Sequence, residues 1–243
     1  MSFRSKTFLI GSALLLAAQL AAAGSFSVSP TRIELQSTQR TAVVTLRNAD
    51  ASPLTVQVEL VDWNQSTGDD VYTPTRELLA TPPVFTLQPN SEQVVRIALR
   101  GVQEGPIEKS YRIFFQEIPQ AAKPGFNGLN VALRVGVPIF IAPQQPADGK
   151  LAWTLSEQDD GKLRVSAVNT GNAHVQVTGF ELSMPGTSER LPVGQMRYVL
   201  PGAMITWTVD APASKPASLA QTWIIGSSDR GAFDAQAAVE ARP

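Results

Sequence analysis

The chain has 243 residues, with 20 Lys and Arg against 21 Asp and Glu, a formal charge of −1, 43% hydrophobic residues, a single His and no Cys. That charge balance argues against a nucleic-acid partner. The lack of cysteine rules out a thiol nucleophile and any disulfide staple, so folding must rest on apolar cores alone, and the length suits one large or two small domains.

Residues 1–23 read as a secretory signal peptide. Arg4 and Lys6 precede an apolar run over residues 7–20, and Ala21, Ala22 and Ala23 supply the small residues of a cleavage site. The run is short for a bilayer span and no other stretch approaches one, so a mature chain starting near Gly24 is expected to carry no membrane insertion. Without Arg4 and Lys6, the 20 basic residues become 18 against 21 acidic, a formal charge of −3.

After Gly24, apolar alternations separated by turn residues predict strands at 25–35, 41–46, 54–63, 84–87, 93–99, 111–118 and 129–141. Seven short strands are the count of an immunoglobulin-like module. Glu77, Leu78 and Leu79 form one helical turn at most. Residues 143–149 are polar and rich in turn formers, the composition of a linker. A second set of strands is predicted at 151–155, 162–169, 175–182, 204–209 and 221–226. The expected architecture is all-β, with two immunoglobulin-like β-sandwich domains over residues 24–142 and 150–243.

The stretch 129–141 is the most informative. Leu129, Val131, Leu133, Val135, Val137, Ile139 and Ile141 share one face of an extended strand, because side chains alternate with a period of two. The other face carries Asn130, Ala132, Arg134, Gly136 and Pro138, and the proline suits a sheet edge or a strand end. Two readings follow. The strand buries its apolar face in an ordinary sandwich core, or it is an edge kept apolar for pairing with a partner, where most proteins would shorten or charge it.

Catalysis has little to stand on. His174 lies at a strand start, where an exposed or hydrogen-bonded histidine is expected rather than a general base. Asp69–Asp70 and Asp159–Asp160 sit beside glycines as turn residues, with no further ligands clustered for a metal. No phosphate-cradling loop is present. Trp63, Trp153, Trp207 and Trp223 fall within strand runs and are expected in cores rather than on a carbohydrate platform. Neither enzymatic activity, a metal nor a cofactor is expected.

A resemblance adds to this reading. SVSPTRI at 27–33, VYTPTR at 71–76, ATPPV at 80–84, LQP at 87–89 and YRIFFQEIP at 111–119, followed by the alternating strand, resemble in their order the periplasmic chaperones of fimbriae and pili. VNTGN at 168–172, LPG at 200–202 and SDRG at 228–231 are weaker matches to that family's second domain. The absence of cysteine and the modest stretch 120–128 are more similar to its short-loop or archaic branches. For Thr81–Pro82 the resemblance suggests a cis bond where base rates favour trans, and the sequence leaves both open.

The resemblance implies two domains set as a boomerang and a periplasmic location. It also implies a function, donor-strand complementation, in which the first domain's last strand is lent to an incomplete pilus or fimbrial subunit that is then delivered to an outer-membrane usher. Leu129, Val131, Leu133, Val135 and Val137 would fill the subunit's groove, and the free protein would be capped by a loop or by self-association. The family anchors the subunit's C-terminal carboxylate with two basic residues. The first falls on Arg32 and the second on Pro138, which has no charge, so Arg96, Arg112 and Arg134 are the candidate substitutes. Arg96 and Arg112 lie opposite the apolar parity of their strands and are expected to leave the core. A secreted structural pilin or adhesin is the alternative, and it would need an incomplete domain with an N-terminal donor segment. An extracellular carbohydrate-binding or hydrolytic sandwich is the third reading, without a convincing acid pair to support it.

Overall fold

The structure is a computed structural model that describes residues 26–36, 38–101, 105–119, 131–213, 216 and 218–240. The signal-peptide reading of 1–23 and the donor candidate Leu129 lie outside the described residues. All regular structure among the described residues is β. The first ten strands are β1 (Phe26–Ser29), β2 (Ile33–Leu35), β3 (Thr41–Asn48), β4 (Leu54–Asn64), β5 (Val71–Pro74), β6 (Leu78–Thr81), β7 (Val84–Leu87), β8 (Glu92–Leu99), β9 (Lys109–Ile118) and β10 (Arg134–Ile141). The remainder are β11 (Leu151–Glu157), β12 (Leu163–Asn169), β13 (Val175–Ser183), β14 (Arg190–Val193), β15 (Arg197–Val199), β16 (Met204–Val209), β17 (Trp223–Ser228), β18 (Gly231–Gln236) and β19 (Ala238–Val239).

Two sheets enclose the first core. One runs β1-β3-β8-β6 and the other β2-β10-β9-β4-β5, with β7 also pairing β4. The single strand expected over 25–35 is in fact two, because Pro30 has no N–H for a ladder and β1 and β2 join opposite sheets. The Ser29–Pro30 and Thr81–Pro82 bonds are both cis. Leu78–Thr81 pairs with β8 as strand β6 instead of making a helical turn, since Leu78 gains a place in the core. Period-two alternation supplies the filling: Val44 and Leu46 from β3, Val95 and Ile97 from β8, Ile113 and Phe115 from β9, all buried. Each such side chain contributes roughly 1.5–3 kcal/mol on burial.

The second core lies between β16-β12-β11-β19 and β14-β13-β17-β18, where β15 also pairs β13. Trp153 and Trp207 stack at 5.7 Å, and Phe180 meets Trp207 edge-on at 5.2 Å. Trp223 departs from expectation: it is 44% exposed, because its neighbour Ile224 has the inward parity on β17.

Among the described residues each sandwich also contains one fully buried asparagine at the end of a long strand, Asn48 on β3 and Asn169 on β12. Asn48 donates through Nδ2 to the carbonyls of Ser52, Leu87 and Gln88 and accepts from Asp50 N–H. Asn169 donates to the carbonyls of Ala173 and Val199 and accepts from the N–H groups of Gly171 and Lys150. Buried backbone groups need partners, and one amide here satisfies several that no ladder reaches. Asn169→Ala is therefore expected to destabilise the protein by about 2–4 kcal/mol, read as a lower urea midpoint, since several buried groups lose their partner together.

Candidate functional site

β10 is held on one side only along most of its length. It pairs antiparallel with β9 from Arg134↔Gln116 to Ile141↔Lys109, whereas on its other edge β2 pairs with it in parallel only at Ile139, Phe140 and Ile141. From Arg134 to Pro138 that edge has no strand neighbour among the described residues. Pro138 marks the boundary, a position where a missing N–H costs the sheet least. Just before β10, Glu117 N–H donates to the Leu133 carbonyl at 2.8 Å, which extends the pairing with β9 toward the N-terminus.

The inward-facing row of side chains changes environment along this segment. Val131 is 55% exposed, while Leu133 and Val135 are half-buried against the rim of the first core. Val137 is 2% exposed, and Ile139 and Ile141 are fully buried. Val137 lies inside the first core of the free chain: period two fixes its face, and by this point the opposite sheet already covers that face. The part of the row left at least partly exposed is Val131, Leu133 and Val135. Among the described residues the strand begins at Arg134, and residues 131–133 before it carry no regular structure.

The outward-facing row leads toward the second sandwich. The Arg134 guanidinium lies 3.9 Å from the Phe114 ring centroid and its Nη2 is 2.9 Å from Glu59 Oε2. At Gly136 a Cβ would come within 2.8 Å of the Phe114 ring, so the glycine gives that ring its room. Pro138 stands directly across from Arg112 in register. Arg112 spreads over Trp63, 4.2 Å from the ring centroid, with Tyr72 at 5.5 Å. Its Nη2 is 3.8 Å from Asp70 Oδ2, and its Nε is buried without a hydrogen-bond partner. Asp70 itself accepts from Trp63 Nε1, Gln65 Nε2 and Tyr72 OH. Burial raises its pKa, but those three hydrogen bonds and the Arg112 charge outweigh burial and hold it below the usual carboxylate value.

Trp63 and Phe140, at the far end of the same face, are buried with Leu200 and Ala203 of the second sandwich, and Tyr198 packs beside them. Gln65 ties the two units together: Nε2 donates to the Tyr198 carbonyl and Oε1 accepts from Leu200 N–H. Arg32, leading into β2, reaches across with Nη1 2.9 Å from Asp229 Oδ2, while its Nε lies 2.9 Å from Glu34 Oε1. Burial raises the Tyr198 phenol pKa, and the charges of Arg32 and Arg112 oppose that rise.

Of the four arginine candidates, Arg32 and Arg112 both lie by the junction of the sandwiches, Arg32 on Asp229 and Arg112 over Trp63, and both charges act on the Tyr198 phenol. Arg96 does not. It is exposed on β8, in the sheet that lacks β10, opposite Val43 and Thr81 in register. Arg134 sits four residues up β10 from Pro138, about 13 Å along the strand, and is paired with Glu59. Tyr198, Gln65 and Asp229 had no distinguishing signal, because each acts through a partner more than a hundred residues away.

Compared with known families, residues 25–147, half of the chain, match the pili and flagellar-assembly chaperone, PapD N-terminal domain. No curated protein sequence matches. Among solved structures, the CsuC–CsuE chaperone–tip adhesion subunit pre-assembly complex from archaic chaperone-usher Csu pili of Acinetobacter baumannii is similar, with TM-score 0.68 and 18% identity over 90% of this chain and 100% of that one. The YadV chaperone gives TM-score 0.63 and 19% identity over 87% of this chain and 98% of that one. The Salmonella enterica SafA pilin in complex with the SafB chaperone gives 0.59 and 18% over 88% and 96%. At these identities the likeness is one of fold.

The change of environment along β10 has a direct test. Val137→Asn places an unpaired amide in the core and is expected to cost about 2–4 kcal/mol, while Val131→Asn stays within about 0.5 kcal/mol of the parent. Chemical denaturation of both variants measures the difference.

Proposed function

This chain belongs to the family of pili and flagellar-assembly chaperones, and we propose that it holds an unfinished pilus or fimbrial subunit by lending it the open edge of β10. The observation that carries this reading is the unpaired edge from Arg134 to Pro138, continuous with the aliphatic row Val131, Leu133 and Val135. A subunit lacking a strand exposes a sheet edge and an apolar groove. β10 supplies backbone hydrogen bonds to the first and side chains to the second. Structures of similar fold that are described as chaperone–subunit complexes support the same arrangement. Family membership sets aside the alternative of a structural pilin or adhesin.

Three aliphatic side chains moved into a groove contribute roughly 4–9 kcal/mol before association costs. Leu133 and Val135 are already half-buried, which places the gain toward the lower end. The remainder comes from the anchor. A terminal carboxylate prefers a charge-assisted, bidentate partner. In the free protein Arg32 is engaged by both Glu34 and Asp229, whereas Arg112, stacked on Trp63, has one carboxylate neighbour, Asp70 at 3.8 Å, and an unpartnered Nε. Arg112 therefore takes over the charge that Pro138 cannot supply, with Arg32 as the second cation. In this reading residues 24–142 form the domain that lends the strand, 143–149 the linker and 150–243 the second domain. Residues 1–23 direct export to the periplasm, and the loaded chaperone hands its subunit to an outer-membrane usher. When free, the same edge is covered by a loop or a second copy.

Leu133→Glu is expected to leave the chaperone folded and to abolish co-purification of the subunit, because a carboxylate in an apolar groove costs several kcal/mol. Normal recovery of the subunit with this variant removes β10 from the role. Arg112→Ala and Arg32→Ala are each expected to weaken subunit binding by about 2–5 kcal/mol, with the larger loss at Arg112. Titration calorimetry against a peptide ending in a free carboxylate, with its C-terminal amide as the control, ranks the two arginines.

A further inference from the structure

A further polar contact joins the two sandwiches at His174. His174, the only histidine of the chain, precedes β13 and is 5% exposed. Glu108 of the first sandwich, just before β9, accepts the His174 backbone N–H at 3.1 Å, and its two carboxylate oxygens lie 2.8 and 2.9 Å from Nδ1. On the opposite side of the ring, Nε2 is 3.4 Å from Asp229 Oδ2, in the turn between β17 and β18, and has no hydrogen-bond partner. Phe140 stacks on the imidazole with centroids 3.5 Å apart, so the ring cannot turn away from either carboxylate.

A neutral imidazole has one N–H and one lone pair. Whichever nitrogen keeps the proton, the other turns its lone pair toward a carboxylate in a buried site. Only the imidazolium, with a proton on each nitrogen, matches both neighbours. The remaining charged groups facing this cluster are Arg32, which shares Asp229, Glu34 beside Arg32, and Arg230, whose Nε and Nη2 donate to the His174 carbonyl at 3.2 and 3.1 Å. Tyr198 lies 5.7 Å away, ring to ring.

We propose that His174 is a proton-dependent latch between the two sandwiches, bridging Glu108 and Asp229 as the imidazolium and loosening the junction when it loses its proton. Burial opposes the charged ring, but the close Asp229 carboxylate and the hydrogen-bonded Glu108 carboxylate outweigh burial and raise its pKa above 6.5. Asp229 shows the reciprocal effect: burial raises it, and the adjacent His174 ring, the Gln176 N–H and the nearby charges bring it below 3.8. A raised folded-state pKa means that the stabilisation is complete below the unfolded value of about 6.5 and is lost as pH rises through the folded one. The latch is closed below the folded-state pKa of His174 and opens above it.

The intact protein provides the test, because one histidine gives one imidazole resonance. Its NMR titration is expected to have a midpoint above 6.5. Across that midpoint, amide exchange should accelerate at Glu108 and His174, whose N–H groups donate to Asn172 O and Glu108 Oε1 across the junction, after correction for the intrinsic base-catalysed rate. Relative to His174→Gln, the parent should lose about 2–4 °C of melting temperature between about pH 6 and about pH 9. A midpoint at or below 6.5, or junction amides whose corrected exchange ignores pH, overturns the latch. Should His174→Gln fail to fold, the titration and the exchange measurement on the parent decide the matter alone.

Discussion

The outer face of the sheet β10-β9-β4 ends in Trp63 and Phe140, and a sheet face that carries two large aromatic rings must be covered. The second sandwich covers it with Leu200 and Ala203, the rings of Trp63 and Phe140 lying 5.9 Å apart beneath them. Most of what is notable in the molecule follows from that burial. It sets Arg112 on the Trp63 ring at the mouth of the cleft and brings Asp229 within reach of Arg32. Phe140 also supports the His174 imidazole from below. Only the C-terminal half of β10 is committed to this junction, so its N-terminal half is left at the surface.

The division of labour along β10 explains how a protein keeps an apolar edge without losing its own fold. Stability comes from Val137, Ile139 and Ile141, which are inside the first core, and from Phe140 at the junction. The residues assigned to a partner come earlier and stabilise the free chain little. Arg134 over Phe114 and its pairing with Glu59 put charge on the outward face beside that edge, a common defence against unwanted strand pairing.

Much of the fold was legible because period-two alternation is a local property. The long strands and the outward parity of Arg96 and Arg112 could be read from spacing alone. What alternation does not contain is the position of the neighbouring sheet. Val137 and Val131 have the same parity, yet one is buried and the other exposed, because the sandwich ends between them. Arg96 and Arg112 both leave the core, but from opposite sheets, and only topology separates them. β5, β6, β14, β15, β18 and β19 are short, and pairing partners rather than intrinsic pattern make them strands. His174 was legible as a hydrogen-bonded histidine, but Glu108, 66 positions away, could not be named.

The parallel pairing of β2 with Ile139–Ile141 has a further consequence for anything that docks on β10. Those three residues have already spent their edge hydrogen bonds within the chain, and the proline just before them has none to give. A visiting strand therefore meets a physical stop at Pro138. It cannot slide toward the junction by two residues, the smallest step that would keep its side chains on the same face. β2 acts as the end-block of a ruler: it sets where the visitor terminates, and so which of the visitor's side chains meets each of the three open aliphatic positions.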